Sequence, residues 1–417
     1  MERKIRNEKL LEAVRFYFNN EKVNWEEEWT EEEWIEFFKL SSEQQVLPMI
    51  YDTVYECPAF QKMTPQSVQM IKSKVFRNVM MQTIKTEEFL QLYQKLLNEG
   101  LTPLVVKGLI CRNLYREPDY RSSGDEDVFI PKEQFRTCHD LFLKQGLCCA
   151  ETEETLDQAG EVTYFRRNSG LHIELHKELF SSSSEAYGDL NRFFEKAAER
   201  KMTVRINEVS VYTMGPTDHL LYLILHAFKH FLHSGFGIRQ VCDIIAFANT
   251  YGPEIDWNEI LRKCKEIHAD VFAASLFDIG EKKLQFDRKM ACYPESWTAL
   301  QADGEDLLED LLDAGVFGDS SMSRKHSSNM TLQAVVEEKK GKKRKTSIFQ
   351  SLFPGREYME RTYTYVKKHP FLLPAAWVER LVKYWKETGQ FKNNTAFQSI
   401  EIGNQRVELL RKYKIIE

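Results

Sequence analysis

The stretch DEDVFI at residues 125–130 alternates as a strand does, and its reading decides the fold. Successive strand side chains point to opposite faces, so Asp125 and Asp127 project together while Glu126 points away. Two carboxylates held side by side repel each other unless a cation lies between them, and oxygen ligands of this kind suit Mg²⁺ or Mn²⁺. An Asp-x-Asp pair alone is weak evidence, because most such pairs are exposed turn or strand-edge residues. Its neighbours give it weight. Upstream, TPLVVKG (102–108) is a short β-rich run ending in Gly108, followed by the helical LICRNLY and the turn-rich REPDYRSSG. Downstream, LHIELH (171–176) splits into a core face of Leu171, Ile173 and Leu175 and a second face of His172, Glu174 and His176. If this strand lies beside DEDVFI, Glu174 joins the aspartates, and three carboxylates on neighbouring strands can hold two divalent ions.

Working outward, Pro131 opens a helix through EQFRTCHDLFLKQ that Gly146 closes. LCCAE, VTYFRR and LHIELH are further strands, the last two flanking the turn Asn168-Ser169-Gly170, and KMTVRINEVSVYTM reads as another hairpin. The order predicts an α+β fold, a small mixed β-sheet core with helices, over residues 99–214. A helical region (1–98) precedes it, in which Trp25, Trp29 and Trp34 read as an amphipathic helix pinned to the domain. A helical domain (215–317) follows, opened by Pro216-Thr217-Asp218 before HLLYLILHAFKHFL. Residues 318–346 read as a polar loop whose basic cluster, Lys339 to Lys345, is a solvated run, and 347–417 read as a C-terminal helical region.

At 417 residues the chain is too long for one hydrophobic core, which predicts two or three domains. Lys and Arg total 57 against 63 Asp and Glu, a formal charge of −6, so a general polyanion binder is not expected. No apolar run approaches membrane-spanning length and the N-terminal residues lack the apolar core of a signal peptide, so we expect no membrane association. The eight cysteines are scattered without a CxxC spacing, which fits free thiols and a cytoplasmic location.

Other chemistries explain less. His172, Glu174 and His176 could ligate zinc as in a zinc hydrolase, but this leaves Asp125 and Asp127 without a role. His226, His230 and His233 share a helix face, where packing is the blander reading and lining of a cleft, with Lys229, Arg239 or Asp243, the sharper one. GxSxG, GxxxxGK[ST] and GxGxxG are all absent from the sequence.

Lys107-Gly108, Leu114-Tyr115, Arg121, Asp125-Glu126-Asp127 and His172-Ile173-Glu174-Leu175-His176 follow one another in a pattern that resembles the DNA polymerase β nucleotidyltransferase superfamily. More narrowly, they resemble its uncharacterised bacterial branch, the NTP_transf_5 or uncharacterised nucleotidyltransferase family. The resemblance runs over roughly residues 40–390 and is most specific at 104–176. It implies a metal-dependent transfer of a nucleoside monophosphate from an NTP, with ATP expected, to an acceptor hydroxyl or similar nucleophile, releasing pyrophosphate. Asp125, Asp127 and Glu174 would then hold Mg²⁺ or Mn²⁺, with Glu174 facing the nucleophile, while Lys107, Gly108 and Arg121 hold the triphosphate. His172, His176, His226, His230, Arg239 and Asp243 are candidates to line the cleft. The acceptor is expected to be a small molecule or protein rather than a long nucleic acid. The alternative is a non-catalytic regulatory or interaction protein on the same fold. Two departures stand out: Leu109 replaces the Ser or Gly usual after the turn glycine, and Glu126 replaces an apolar residue.

Overall fold

The computed structural model describes residues 2–167, 169–314, 322–341, 356, 359–360, 363–388 and 396–417. The N-terminal region is helical, with α1 (Arg3–Phe18), α2 (Glu31–Glu43), α3 (Leu47–Val54), α4 (Pro58–Gln61) and the long α5 (Pro65–Asn98). Thr30 and Glu33 form a reciprocal capping box that starts α2. Trp25, Trp29 and Trp34 pack on one another, the last two with ring centroids 4.2 Å apart, but only Trp34 lies in a helix; Trp25 and Trp29 are in the non-helical segment before α2, where one amphipathic helix was expected. Helix α5 stops where the chain turns at Gly100, whose φ of 77° is open to glycine.

The sheet follows. Its strands are β1 (Leu104–Val106), β2 (Glu126–Phe129), β3 (Cys148–Cys149), β4 (Glu161–Phe165) and β5 (His172–His176), in the order β1-β2-β5-β4-β3. Strands β2 and β5 run parallel, while β1–β2, β4–β5 and β3–β4 are antiparallel, giving the mixed sheet expected. Helices α6 (Gly108–Arg112), α7 (Phe135–Lys144) and the short α8 (Glu153–Leu156) accompany it. Strands β6 (Lys201–Ile206) and β7 (Val209–Met214) form a separate hairpin. Of the β4–β5 turn, Asn168 lies outside the described residues. Val105, Val128, Ile173 and Leu175 are fully buried, so the alternation read in the strands does divide core from cleft.

Beyond the hairpin come α9 (Pro216–Leu232), α10 (Ile238–Tyr251), α11 (Trp257–Lys265), α12 (Asp270–Lys283), α13 (Glu295–Thr298) and α14 (Glu305–Ala314). Apolar side chains from the N-terminal helices, the sheet and these helices join in one large cluster, and Met359, Val366 and Ala376 form a second, smaller one. One correction concerns residues 318–346. Their central part is a helix, α15 (Met322–Lys339), because Ala334 and Val335 are buried and Met330 is partly buried on one face. Lys339 and Lys340 pair with Asp189 and Glu185, whereas Lys342 to Lys345 lie outside the described residues. The chain ends in α16 (Thr364–Lys368), α17 (Leu373–Thr388) and α18 (Ala396–Lys412).

Candidate active site

The parallel register of β2 and β5 sets Asp127 directly opposite Glu174. His176, two residues further along the same face of β5, brings its Nε2 to 3.2 Å from Asp127 Oδ1 and 3.7 Å from a Glu174 carboxylate oxygen. One donor atom from each of the three lies within 4.8 Å of the others. Asp125 stands one residue before β2 and lines the same cleft as Asp127. Carboxylate oxygens with one imidazole nitrogen suit Mn²⁺ or Mg²⁺, the imidazole leaning toward Mn²⁺. His172 does not join them: it is exposed and stacks against Phe165, which removes one of the three residues a zinc reading would need.

The charges at this centre are interdependent. Burial raises the Glu174 pKa, and Asp127 and Asp125 raise it further, to about 7. Burial opposes the Asp127 charge, but Lys107 and the hydrogen bond from His176 outweigh it and hold that carboxyl well below its usual range. Lys107 Nζ lies 2.9 Å from Asp127 Oδ1 and 2.9 Å from His226 Nε2. Burial works against the Lys107 ammonium too, yet Asp127 keeps it charged. His226 and His230 lie one helical turn apart on α9, and burial next to Lys107 holds both far below the ordinary histidine value.

The turn that delivers Lys107 is tightly built. Lys107 has a φ of 55°, and a Cβ on Gly108 would fall 2.4 Å from Glu126 Oε2 and 3.3 Å from the Asp125 carbonyl oxygen. Glycine is required here by close approach. The Lys107 N–H donates to His219 Nε2 and the Leu109 N–H to Glu126 Oε2, so two of the three N–H groups at this turn are used within the protein. Glu126, an anomaly in the sequence, explains itself. It points to the face opposite Asp127, is fully buried, accepts from Arg112 Nη1 at 2.8 Å and lies 3.6 Å from Lys85 Nζ. Lys85 in turn donates to the Ser123 carbonyl oxygen and hydroxyl, tying α5 to the loop that presents Asp125.

Arg121 lies on the cleft wall but is not wholly available to a ligand. Its Nε and Nη2 donate to both carboxylate oxygens of Asp243 on α10, at 3.1 and 2.5 Å, and Tyr115 donates to the same carboxylate at 2.8 Å. Tyr115, Arg121 and Asp243 are thus one buried network that joins the sheet to the helices. Arg239, on the first turn of α10, donates to the Ser122 carbonyl oxygen at 3.2 Å. The cleft, with an accessible volume of about 40 Å³, is lined by Lys107, Gly108, Arg121, Ser123, Asp125, Asp127, Leu223, His226, Arg239, Gln240 and Asp243. Ser123, Leu223 and Gln240 carry no motif that sequence reading could have singled out. His176 did carry a signal, since it shares a strand face with Glu174.

A family model described as an uncharacterised nucleotidyltransferase matches residues 30–280, ending well short of the 390 to which the resemblance was extended. A search of curated proteins gives no match. Among solved structures the chain is similar to an antigenic nucleotidyltransferase-like protein from Paracoccidioides brasiliensis, at 15% identity and a TM-score of 0.31, over 54% of this chain and 93% of that one. The family match spans more than half of the chain and contains the glycine turn, the carboxylates of β2 and β5, and α10: the chain belongs to the uncharacterised nucleotidyltransferase family.

Proposed function

We propose that this nucleotidyltransferase moves a nucleoside monophosphate from an NTP, with ATP the expected donor, to an acceptor nucleophile. The observation that carries the proposal is the Asp127–Glu174 register, with His176 within reach of both carboxylates. Asp125 and Asp127 would hold divalent ions, Mg²⁺ or Mn²⁺, and Glu174 would complete the site. When bound, such ions neutralise the phosphates and favour the deprotonated nucleophile. Lys107, Gly108 and the remaining Nη1 of Arg121 would bind the triphosphate. The acceptor oxygen forms a bond to the α-phosphorus as the bond from that phosphorus to the bridging oxygen of pyrophosphate breaks. Glu174, on the side of the site facing the nucleophile, would take the acceptor proton.

The acceptor is proposed to be a small molecule or a protein, in keeping with the formal charge of −6. All eight cysteines are free thiols, which supports a cytoplasmic setting, and no helix among the described residues is long and apolar enough to cross a membrane. A non-catalytic role on the same fold has one observation in its favour: Lys107 and His176 already balance Asp127 without a metal. Titration of Mn²⁺ with a non-hydrolysable ATP analogue separates the two. Metal-dependent nucleotide binding, lost in the Asp125→Asn/Asp127→Asn variant, is the expected result. A folded wild type that binds none of the four NTP analogues would sink the enzymatic reading.

A further inference from the structure

The wall of the cleft facing the carboxylates is built from α10 and the loop before β2, and its polar atoms are not all used. Arg121 is 2% exposed and Arg239 9% exposed, and both line the cleft. Arg121 Nη1 and Arg239 Nε are buried without a hydrogen-bond partner, as is Gln240 Oε1. Two guanidinium groups share one counter-ion there, for Asp243 lies 2.5 Å from Arg121 Nη2 and 3.9 Å from Arg239 Nη1. A buried donor left unpaired costs free energy, and a second buried cation short of a counter-ion costs more. Arg239 lies on the first turn of α10, a 14-residue helix whose dipole adds positive potential at that end, and Arg121 is held to Asp243 further along the same helix.

We propose that Arg121 and Arg239 form a phosphate-binding subsite, in the same cleft as Asp125 and Asp127, that takes a phosphoryl group through the free Arg121 Nη1 and Arg239 Nε. Phosphate is the chemistry that matches: it is compact, carries more than one charge, and offers oxygens to two guanidinium groups at once. The subsite stands on the arginines alone; only the source of the phosphate rests on the nucleotidyl-transfer reading. That source is either the terminal phosphate of the NTP or a phosphate on the acceptor.

The test is calorimetric titration of pyrophosphate into metal-free full-length protein, which reads the arginines independently of any metal held by Asp125 and Asp127. Arg239→Gln is expected to weaken binding about tenfold or more, the loss of a charge-assisted hydrogen bond, with partial recovery in Arg239→Lys. Asp243→Asn, which removes the internal competitor, is expected to tighten binding, an effect of opposite sign that a merely structural role would not produce. Titrations with an ATP analogue and with AMP then assign the source. A loss confined to the triphosphate points to the nucleotide. Unchanged affinity for the ATP analogue, with pyrophosphate still binding to the nucleotide-saturated protein, points to the acceptor. Equal pyrophosphate affinity in wild type and a folded Arg239→Gln protein, or no binding to wild type at millimolar concentration, overturns the proposal. Loss of metal-dependent turnover alone would leave the subsite standing, so the two readings fail separately.

Discussion

Lys107 Nζ lies 2.9 Å from Asp127 Oδ1, so the protein places its own cation against the carboxylate best situated to ligate a metal. A metal and this ammonium compete for one negative charge. Lys107→Met should therefore tighten Mn²⁺ binding to the nucleotide-free protein while weakening metal-dependent binding of an ATP analogue, because the displaced ammonium is then missing from the phosphates. Calorimetry of both ligands checks the pair of signs. Equal weakening of both would mean that Lys107 only maintains the local structure.

The Gly108 turn and the buried Glu126 are mutually fitted. A methyl group at Gly108 meets Glu126 Oε2 at 2.4 Å, and that carboxylate is held by the Leu109 N–H and by Arg112. Gly108→Ala should cost roughly 1–3 kcal/mol as overpacking. Glu126→Ala should cost about 3–5 kcal/mol, since Arg112 and Lys85 lose a buried partner. Chemical denaturation measures both, and wild-type stability in Glu126→Ala would show that water can replace the carboxylate.

The pairing of Asp127 with Glu174 was readable in the sequence because two period-two patterns each expose one polar face, and adjacency of the strands is all that must be added. Glu126 stands out in the sequence only as a charge where an apolar residue is usual. Its partners Lys85 and Arg112 lie on α5 and α6, on the opposite side of β2, and no local pattern announces them. Arg121 is similar: its counter-ion Asp243 is 122 positions away, and only the packing of α10 against the sheet brings the two together. In residues 322–339 the polar side chains hid a helix, because few apolar residues suffice when a partner helix covers them.

Glu174 gives the metal-free protein a pH dependence. Its folded pKa, about 7, lies above the ordinary carboxylate value because of burial, then Asp127 and Asp125. A raised pKa means that its contribution to stability is fully present below the unfolded-state value and is lost as pH rises through about 7. The melting temperature without metal should fall across that window by a few degrees, on the order of 2 kcal/mol. Glu174→Gln should flatten the fall, and Mn²⁺ should stabilise wild type more at the alkaline end. Identical pH profiles for wild type and Glu174→Gln would mean that the site relaxes to solvate the ionised carboxylate.

Asp127→Asn isolates charge from shape. The amide keeps the volume of a buried side chain and still accepts one hydrogen bond, so the fold should survive, at a cost of about 1–3 kcal/mol for leaving Lys107 without its counter-ion. A neutral amide oxygen is a weaker ligand than a carboxylate for a hard divalent ion and does not balance its charge, so turnover should drop by at least about 10²–10³, the range for removing one electrostatic contact in a transition state. Radiolabelled NTP turnover gives the activity and circular dichroism the fold. Once an acceptor is in hand, wild-type turnover in a folded Asp127→Asn protein would remove Asp127 from the chemistry and shift the metal to Asp125 and Glu174.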